Sequence, residues 1–475
     1  MRIRRGLAAW FGSQRRGWSG AHCGIPQGRR DLRHKFVGTG SRSRLAVDKL
    51  GGRPANASES RHCRPQPRRR HFLLGQQRPG FQRRYYRHQR SDLSIDGFRT
   101  SALTTNVLLC RIDGNFGGVE RNLLSLATGL DTSRFRPIVV TIANDGELAR
   151  MAKAKGIASE FIPMKNRFSV MPASRALIDI ARRWNAGIIH TFGLRSNLLA
   201  ALARKHLDGK WIVRLPNINR RDYKNPIQGQ IFHWLNNSLI RRADALQVIS
   251  PQLEEYIKNR PHPPQRVFLI PNGVDLSIYK KQGTGERFRQ SYGIAPDAPI
   301  IGGVGRLDHV KGYDILLEAF RRVAQIRPDA RLVIVGDGPL RLPLQKQAES
   351  SGFPLPVVFC GYVTDIASCL EAFTLFICSS RSEGVPNAML EALAMGIPVV
   401  STRVGGIESI LNAGVNGILI PCNDREALAS AIMELITDEE KALRYGAAAQ
   451  KRIASNFSLE TMLERVQTMY EEVLA

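Results

Sequence analysis

From about residue 103 the chain alternates between two patterns of apolar positions. Short β-branched runs (TNVLLCRI, RPIVVTIA, AGIIHTF, KWIVRLP, ALQVIS) are separated by stretches with helical spacing (VERNLLSLATGL, GELARMAKAKG, RALIDIARRW, SNLLAALARKHL). Strands that are apolar throughout, alternating with helices, predict βαβ units and a parallel sheet covered on both faces. The stretch 272–299, NGVDLSIYKKQGTGERFRQSYGIAPDAP, is rich in Gly and charge and predicts a connector. The alternation then restarts with PIIGGVGRL, YDILLEAFRRVAQI, RLVIVGDG, VVFCGYV, TLFICSS and IPVVST. The fold class predicted is α/β, with two doubly wound domains over 101–275 and 276–455. A final amphipathic stretch, 456–475, predicts a packing helix. In doubly wound sheets ligands bind beyond the carboxyl ends of the strands, so the cleft between the domains is the expected site.

The first hundred residues look different. RRGLAAWFGSQRRGW, RPQPRRRHFLL and FQRRYYRHQR show no sustained apolar period. Residues 1–100 carry 24 Lys/Arg against 5 Asp/Glu, a net +19, whereas 101–275 carry +12 and 276–475 carry −3. Such a segment cannot bury enough apolar surface to offset its ordering entropy, and a disordered basic extension is expected. Three readings compete for it: upstream sequence translated ahead of the true start, an Arg-rich targeting peptide, or a basic nucleic-acid arm. The whole-chain charge of +28 suggests nucleic acid, but its concentration here, without an aromatic-interleaved recognition motif, argues against a specific nucleic-acid partner.

The seven cysteines lack CxxC spacing and any metal pattern, and several sit in apolar runs such as FICSS. They read as reduced, buried thiols of a cytosolic protein. No apolar run reaches the length that spans a bilayer.

Three glycine-bearing turns follow strand-like runs. DGNFGGVERN puts Gly117 and Gly118 just before a helix starting near Val119, where backbone N–H groups can approach an anion. A plain strand-to-helix turn explains them equally well. VGRLDHVKGYD offers Arg306 and Lys311 on one loop, two cations suited to a diphosphate, against the plainer reading of a solvated basic loop. GDGPLR is the third. None completes G-x-G-x-x-G, no Walker sequence occurs, and no Asp-x-Asp pair is present to hold a metal–diphosphate.

Residues 381–406, RSEGVPNAMLEALAMGIPVVSTRVGG, set Glu383 and Glu391 eight positions apart. Pro386 disfavours helix at Val385, Asn387 is a natural N-cap, and Gly396 a plausible stop. Glu383 is therefore expected in a loop and Glu391 in the first turns of a helix. An exposed helix-start glutamate, weakly favoured by the dipole, is the competing reading of Glu391.

This stretch resembles the signature of the family 4 glycosyltransferases, retaining enzymes of the GT-B fold: Glu, seven residues, then Glu, with Gly-Val-Pro-Asn after the first. FGGVERNLLSLATGL, VISPQLEEY, IPNGVDLSIY, GVGRLDHVKGYDILLEAF and VGDGPLR resemble the family's other hallmarks, in order, over about 105–470. The resemblance implies two Rossmann-like domains facing a central cleft, the first on the acceptor side and the second holding a UDP- or GDP-linked sugar. Arg306 and Lys311 should hold the donor diphosphate and Glu391 the ribose hydroxyls. Glu383, with the backbone of Gly384, Val385, Pro386 and Asn387, should face the transferred sugar. Gly117 and Gly118 should let the first domain approach donor phosphate and acceptor.

Neither a metal nor another cofactor is implied, in agreement with the missing Asp-x-Asp. Many members supply a His-x-His strand end near the sugar; here His190 keeps the first position and Phe192 stands at the second. His190 is thus either a contributor or a satisfied strand-end histidine.

The implied reaction moves a hexosyl group to a saccharide or lipid-linked acceptor in cell-surface polysaccharide or glycolipid synthesis. A cytoplasmic protein, peripheral at the inner face of the membrane, is expected. Arg214, Arg220, Arg221 and Lys224 in RLPNINRRDYK suggest a basic face for a lipid phosphate or anionic leaflet, against a generally basic surface. A nucleotide-sugar epimerase or phosphorylase-like enzyme of the same fold is the alternative reaction.

Overall fold

The apolar run of the first strand, β1 (Thr105–Ile112), has Val107, Leu108, Leu109 and Cys110 fully buried, as a central parallel strand requires. It pairs with β2 (Phe135–Ile142) on one side and β4 (Ala186–Phe192) on the other, both parallel. With β3 (Ala158–Ile162), β5 (Lys210–Leu215), β6 (Ala245–Val248) and β7 (Val267–Leu269) the order is β3-β2-β1-β4-β5-β6-β7. This computed structural model describes residues 104–475 apart from 113–116, 144–145, 166–168, 218–225, 261–262, 265 and 351–356. The expected basic extension, and Arg220, Arg221 and Lys224, lie outside the described residues.

The pattern repeats in the second lobe. There β8 (Ile300–Val304), β9 (Arg331–Val335), β10 (Val358–Gly361), β11 (Leu375–Cys378), β12 (Val399–Thr402) and β13 (Ile418–Ile420) run in the order β10-β9-β8-β11-β12-β13. All pairs are again parallel. In each sheet the order reverses beside the first strand, and that switch opens a crevice at the carboxyl ends. The two crevices face each other.

The connector carries one short helix, Gly285–Ser291. The last helix, Leu459–Leu474, leaves the second lobe and completes the core of the first: Met462, Val466, Met469, Tyr470 and Val473 pack with Val107, Phe135, Ile188 and Ile212. The chain therefore crosses between lobes twice, and the crossings touch. The Val274 N–H donates to the Phe457 carbonyl and the Leu459 N–H to the Val274 carbonyl, each at 2.9 Å. Among the described cysteines all five are free; three are buried and Cys360 and Cys422 are half-buried.

Candidate functional site

Between the lobes lies a cavity of about 1030 Å³, large enough for a nucleotide sugar. On the second-lobe side the turn after β8 is fixed by Asp308, whose carboxylate accepts from the Val310 N–H at 3.1 Å. This capped turn, His309–Lys311, delivers Lys311 to the loop after β11. Lys311 Nζ donates to Glu383 Oε1 at 2.5 Å, and the Ser380 hydroxyl donates to the same oxygen at 2.6 Å. Burial alone would lower the Lys311 pKa, but the adjacent Glu383 carboxylate more than offsets it and the net direction is upward. Arg306 is largely exposed on the same wall, 3.8 Å from Asp308.

Glu383 begins the turn Glu383–Asn387, which backs onto the first lobe. A Cβ at Gly384 would lie 2.0 Å from the Pro216 carbonyl oxygen at the end of β5, so only glycine fits there. The helix Asn387–Ala394 follows. Its N-cap is Pro386, not Asn387 as expected, because the Asn387 carboxamide is turned across the cleft instead. Asn387 Nδ2 donates to the Gly118 carbonyl at 2.9 Å, and Asn387 Oδ1 accepts from Asn122 Nδ2 at 3.1 Å and from Asn272 Nδ2 at 2.7 Å. Asn272 Nδ2 also donates to the Val385 carbonyl at 2.7 Å.

On the first-lobe side Gly117 and Gly118 lead into the helix Gly118–Gly129. Glu120 fixes this entry: its carboxylate accepts from the Gly117 N–H at 3.1 Å and from Arg111 Nε at 2.9 Å. A Cβ at Gly118 would come within 2.8 Å of Asn387 Nδ2. The two helix starts thus meet in the cleft, both offering the positive end of a helix dipole.

Glu391 is buried, so its reading as an exposed helix-start glutamate does not hold. Its Oε1 lies 3.5 Å from Arg121 Nη1, a first-lobe guanidinium, and the Tyr279 hydroxyl lies against the same carboxylate. Burial raises the Glu391 pKa, with Arg121 pulling the other way, and Oε2 is buried with no hydrogen-bond partner. Glu391 does not itself line the cavity; Arg121 and Ala388 do.

His190 stands apart. It is fully buried in β4, its Nδ1 lies 2.9 Å from the Tyr470 hydroxyl, and it is not part of the cavity wall. Burial, with Arg214 nearby, lowers its pKa to about 3, so it is neutral. Its Nε2 is buried with no hydrogen-bond partner, so the ring is a withdrawn strand-end histidine paired through Nδ1 alone.

Gly117, Gly118, Arg306, Lys311, Glu383, Gly384, Val385, Pro386 and Asn387 are therefore brought to one cavity, while Glu391 sits behind its wall and His190 is withdrawn. Arg121, Asn122, Asn272 and Ser380 line or brace the same space without having been singled out as sequence. Their only signal was proximity to the recognised stretches VERN, IPNGVD and FICSS. Arg214 also differs from expectation. It is 4% exposed and belongs to the cavity wall, not to a solvated basic face.

Two family models match, end to end. The one described as Glycosyltransferase Family 4 matches residues 116–278, and the one described as Glycosyl transferases group 1 matches 285–452. N-acetyl-alpha-D-glucosaminyl L-malate synthase of Bacillus anthracis is 24% identical over 63% of this chain and 78% of its own. Lipopolysaccharide core biosynthesis mannosyltransferase LpsB of Rhizobium meliloti is 27% identical over 50% and 68%. Among solved structures, Anabaena Alr3699/HepE in complex with UDP-glucose superposes with a TM-score of 0.69 at 23% identity, covering 77% of this chain and 99% of that one. This last likeness shows the fold, GT-B.

Proposed function

The chain belongs to the family 4 glycosyltransferases, and on that premise we propose that it moves a hexosyl group from a nucleotide-diphosphate sugar to a saccharide or lipid-linked acceptor, with retention of anomeric configuration. The product would enter a cell-surface polysaccharide or glycolipid. The relatives named above act at L-malate and at the lipopolysaccharide core, which supports acceptors of this broad class. Nothing among them favours an epimerase, a phosphorylase or a nucleic-acid-binding protein.

The observation that carries the reading is the Lys311–Glu383 pair at 2.5 Å beside two helix N-termini in one cleft. An ammonium has three donors. One is spent on Glu383, and the others can hold an oxygen of the donor diphosphate, with Arg306 supplying a second cation. Lys311 then ties the diphosphate to the carboxylate that meets the sugar hydroxyls. The acceptor hydroxyl attacks the anomeric carbon on the face from which the nucleotide diphosphate departs. The new C–O bond forms as the anomeric C–O bond to phosphate breaks, and the hydroxyl proton passes to the departing phosphate oxygen. Negative charge grows on that phosphate, where fixed cations and helix dipoles stabilise it.

Glu391 has the chemistry for ribose recognition: a buried carboxylate oxygen with no partner is an acceptor waiting for a hydroxyl. Arg121 must shift to admit it. The same reading puts the protein in the cytoplasm, at the inner face of a membrane. The first lobe's net +12 over 101–275 suits an anionic leaflet, and among the described residues no helix is long and apolar enough to cross one.

Transfer from UDP- and GDP-linked hexoses, measured under donor-saturation kinetics, tests the assignment. Lys311→Ala and Glu391→Ala are each expected to lower kcat/KM by about 100-fold, the scale of a charge-stabilising or positioning group. Unchanged turnover in both would sink the assignment.

A further inference from the structure

Arg214 closes β5 as a buried cation without an anion. Its Nη2 donates to Asn272 Oδ1, and its guanidinium lies 5.6 Å from the centre of the Phe192 ring. Its Nη1 is buried with no hydrogen-bond partner. Among the described residues no carboxylate pairs with it. The charged side chain beside it is Arg111, already taken by Glu120 at 2.9 Å, and its remaining titratable neighbours are the Tyr470 hydroxyl and the neutral His190. Burial and Arg111 lower its pKa to about 10, which leaves it charged at neutral pH.

Buried charges are ordinarily paired, because taking an ion out of water costs far more than one neutral hydrogen bond returns. Folded proteins rarely leave a guanidinium in this state without a use for it. Arg214 lines the cavity on the first-lobe side. Asn272, which orients it, also holds Val385 and Asn387, so the cation is joined to the turn expected to face the transferred sugar. The donor diphosphate has its own cations in the opposite lobe, Lys311 and Arg306.

We propose that Arg214, backed by Arg111, is a subsite for an anionic group of the acceptor, a phosphate or a carboxylate. This rests on the transfer reading above and narrows it: the acceptor is an acid. Arg is suited to the task, since its planar fork engages a phosphate or carboxylate through two N–H groups. An anion fixed there anchors one end of the acceptor and leaves a hydroxyl free to meet the anomeric carbon.

The test uses the full chain and inorganic phosphate, with thermal unfolding and titration as readouts, in the presence and absence of saturating UDP or GDP. Phosphate is expected to raise the melting temperature of the nucleotide-loaded protein further. Arg214→Gln should keep the nucleotide's own shift and lose the phosphate increment. Without anions this variant should melt no lower than the parent, because an uncompensated buried charge has gone. Arg214→Lys, which keeps the charge and loses the fork, should weaken phosphate by about tenfold, the worth of one charge-assisted hydrogen bond.

Three results would overturn the subsite. They are a phosphate increment that survives in Arg214→Gln, an increment that nucleotide abolishes (the anion then reports the donor's own site), and a marked drop in the melting temperature of the anion-free variants. A parent that answers to phosphate but to neither nucleotide would support the subsite and overturn the transfer reading.

Discussion

Glu383 and Glu391 are eight positions apart and live in different electrostatic worlds. Glu383 is bonded to Lys311 and Ser380, two donors that meet on its Oε1. Glu391 has a loose contact with Arg121, the Tyr279 hydroxyl and one unpartnered oxygen, and burial outweighs them, so its pKa rises. The sign of the linkage follows. Between the unfolded value and the raised folded value the native state binds more protons than the unfolded one, so stability falls as pH rises through that window. Above it the cost of the buried charge is complete. Glu391→Gln should therefore raise the melting temperature at pH 7, by about 2–4 °C if it removes about 1 kcal/mol, and the gain should shrink on acidification. Donor affinity should fall in the same variant, measured by nucleotide titration. A lower melting temperature at pH 7 would mean that the charge is already well compensated. Lys311 and Glu383 were legible as sequence because each sits in a turn whose Gly and Pro declare its geometry. Arg121, Asn272 and Tyr279 were not, because their second-lobe partners lie more than a hundred positions away and a lone Arg or Asn reads as surface.

At the scale of elements, two helix starts meet through one carboxamide. The alternation of strand and helix was readable because parallel strands buried on both faces leave a continuous apolar run, and the first six strands of each lobe take the same order. What the alternation did not carry was the direction of Asn387. A local rule gives asparagine at a helix start to its own backbone; here three first-lobe groups, Gly118, Asn122 and Asn272, outbid that backbone. Gly118→Ala puts a methyl 2.8 Å from Asn387 Nδ2 and must displace it. Activity is expected to fall about tenfold, near the worth of one hydrogen bond between the lobes, with the fold intact. Combined with Asn387→Ala, the change at Gly118 should add little, since both act on one contact. Full additivity in transfer assays would disconnect them.

For the whole molecule, the last helix matters most. An amphipathic tail reads as a packing element, but nothing in its sequence says which lobe it packs on. It serves the lobe built first, supplying five buried side chains and the hydroxyl beside His190. A chain ending at Asn456 loses all five, at roughly 2–5 kcal/mol for each large one. Together they match or exceed the ~5–15 kcal/mol that holds a typical domain folded. Circular dichroism and limited proteolysis should find the first lobe unfolded and the second still protected. Cooperative melting of the truncated chain at the parent's temperature would contradict this.

The same helix sets an order of events on the ribosome. The first lobe's own strands are all synthesised by Asp275, yet the piece that covers their apolar face begins at Leu459, about 180 residues later. At about 5–20 residues per second the wait is roughly 10–40 s. During it the nascent sheet carries an open greasy flank while the second lobe is being made. The early half of this enzyme cannot finish folding until the helix Leu459–Leu474 has been made, and its vulnerability to aggregation belongs to that interval.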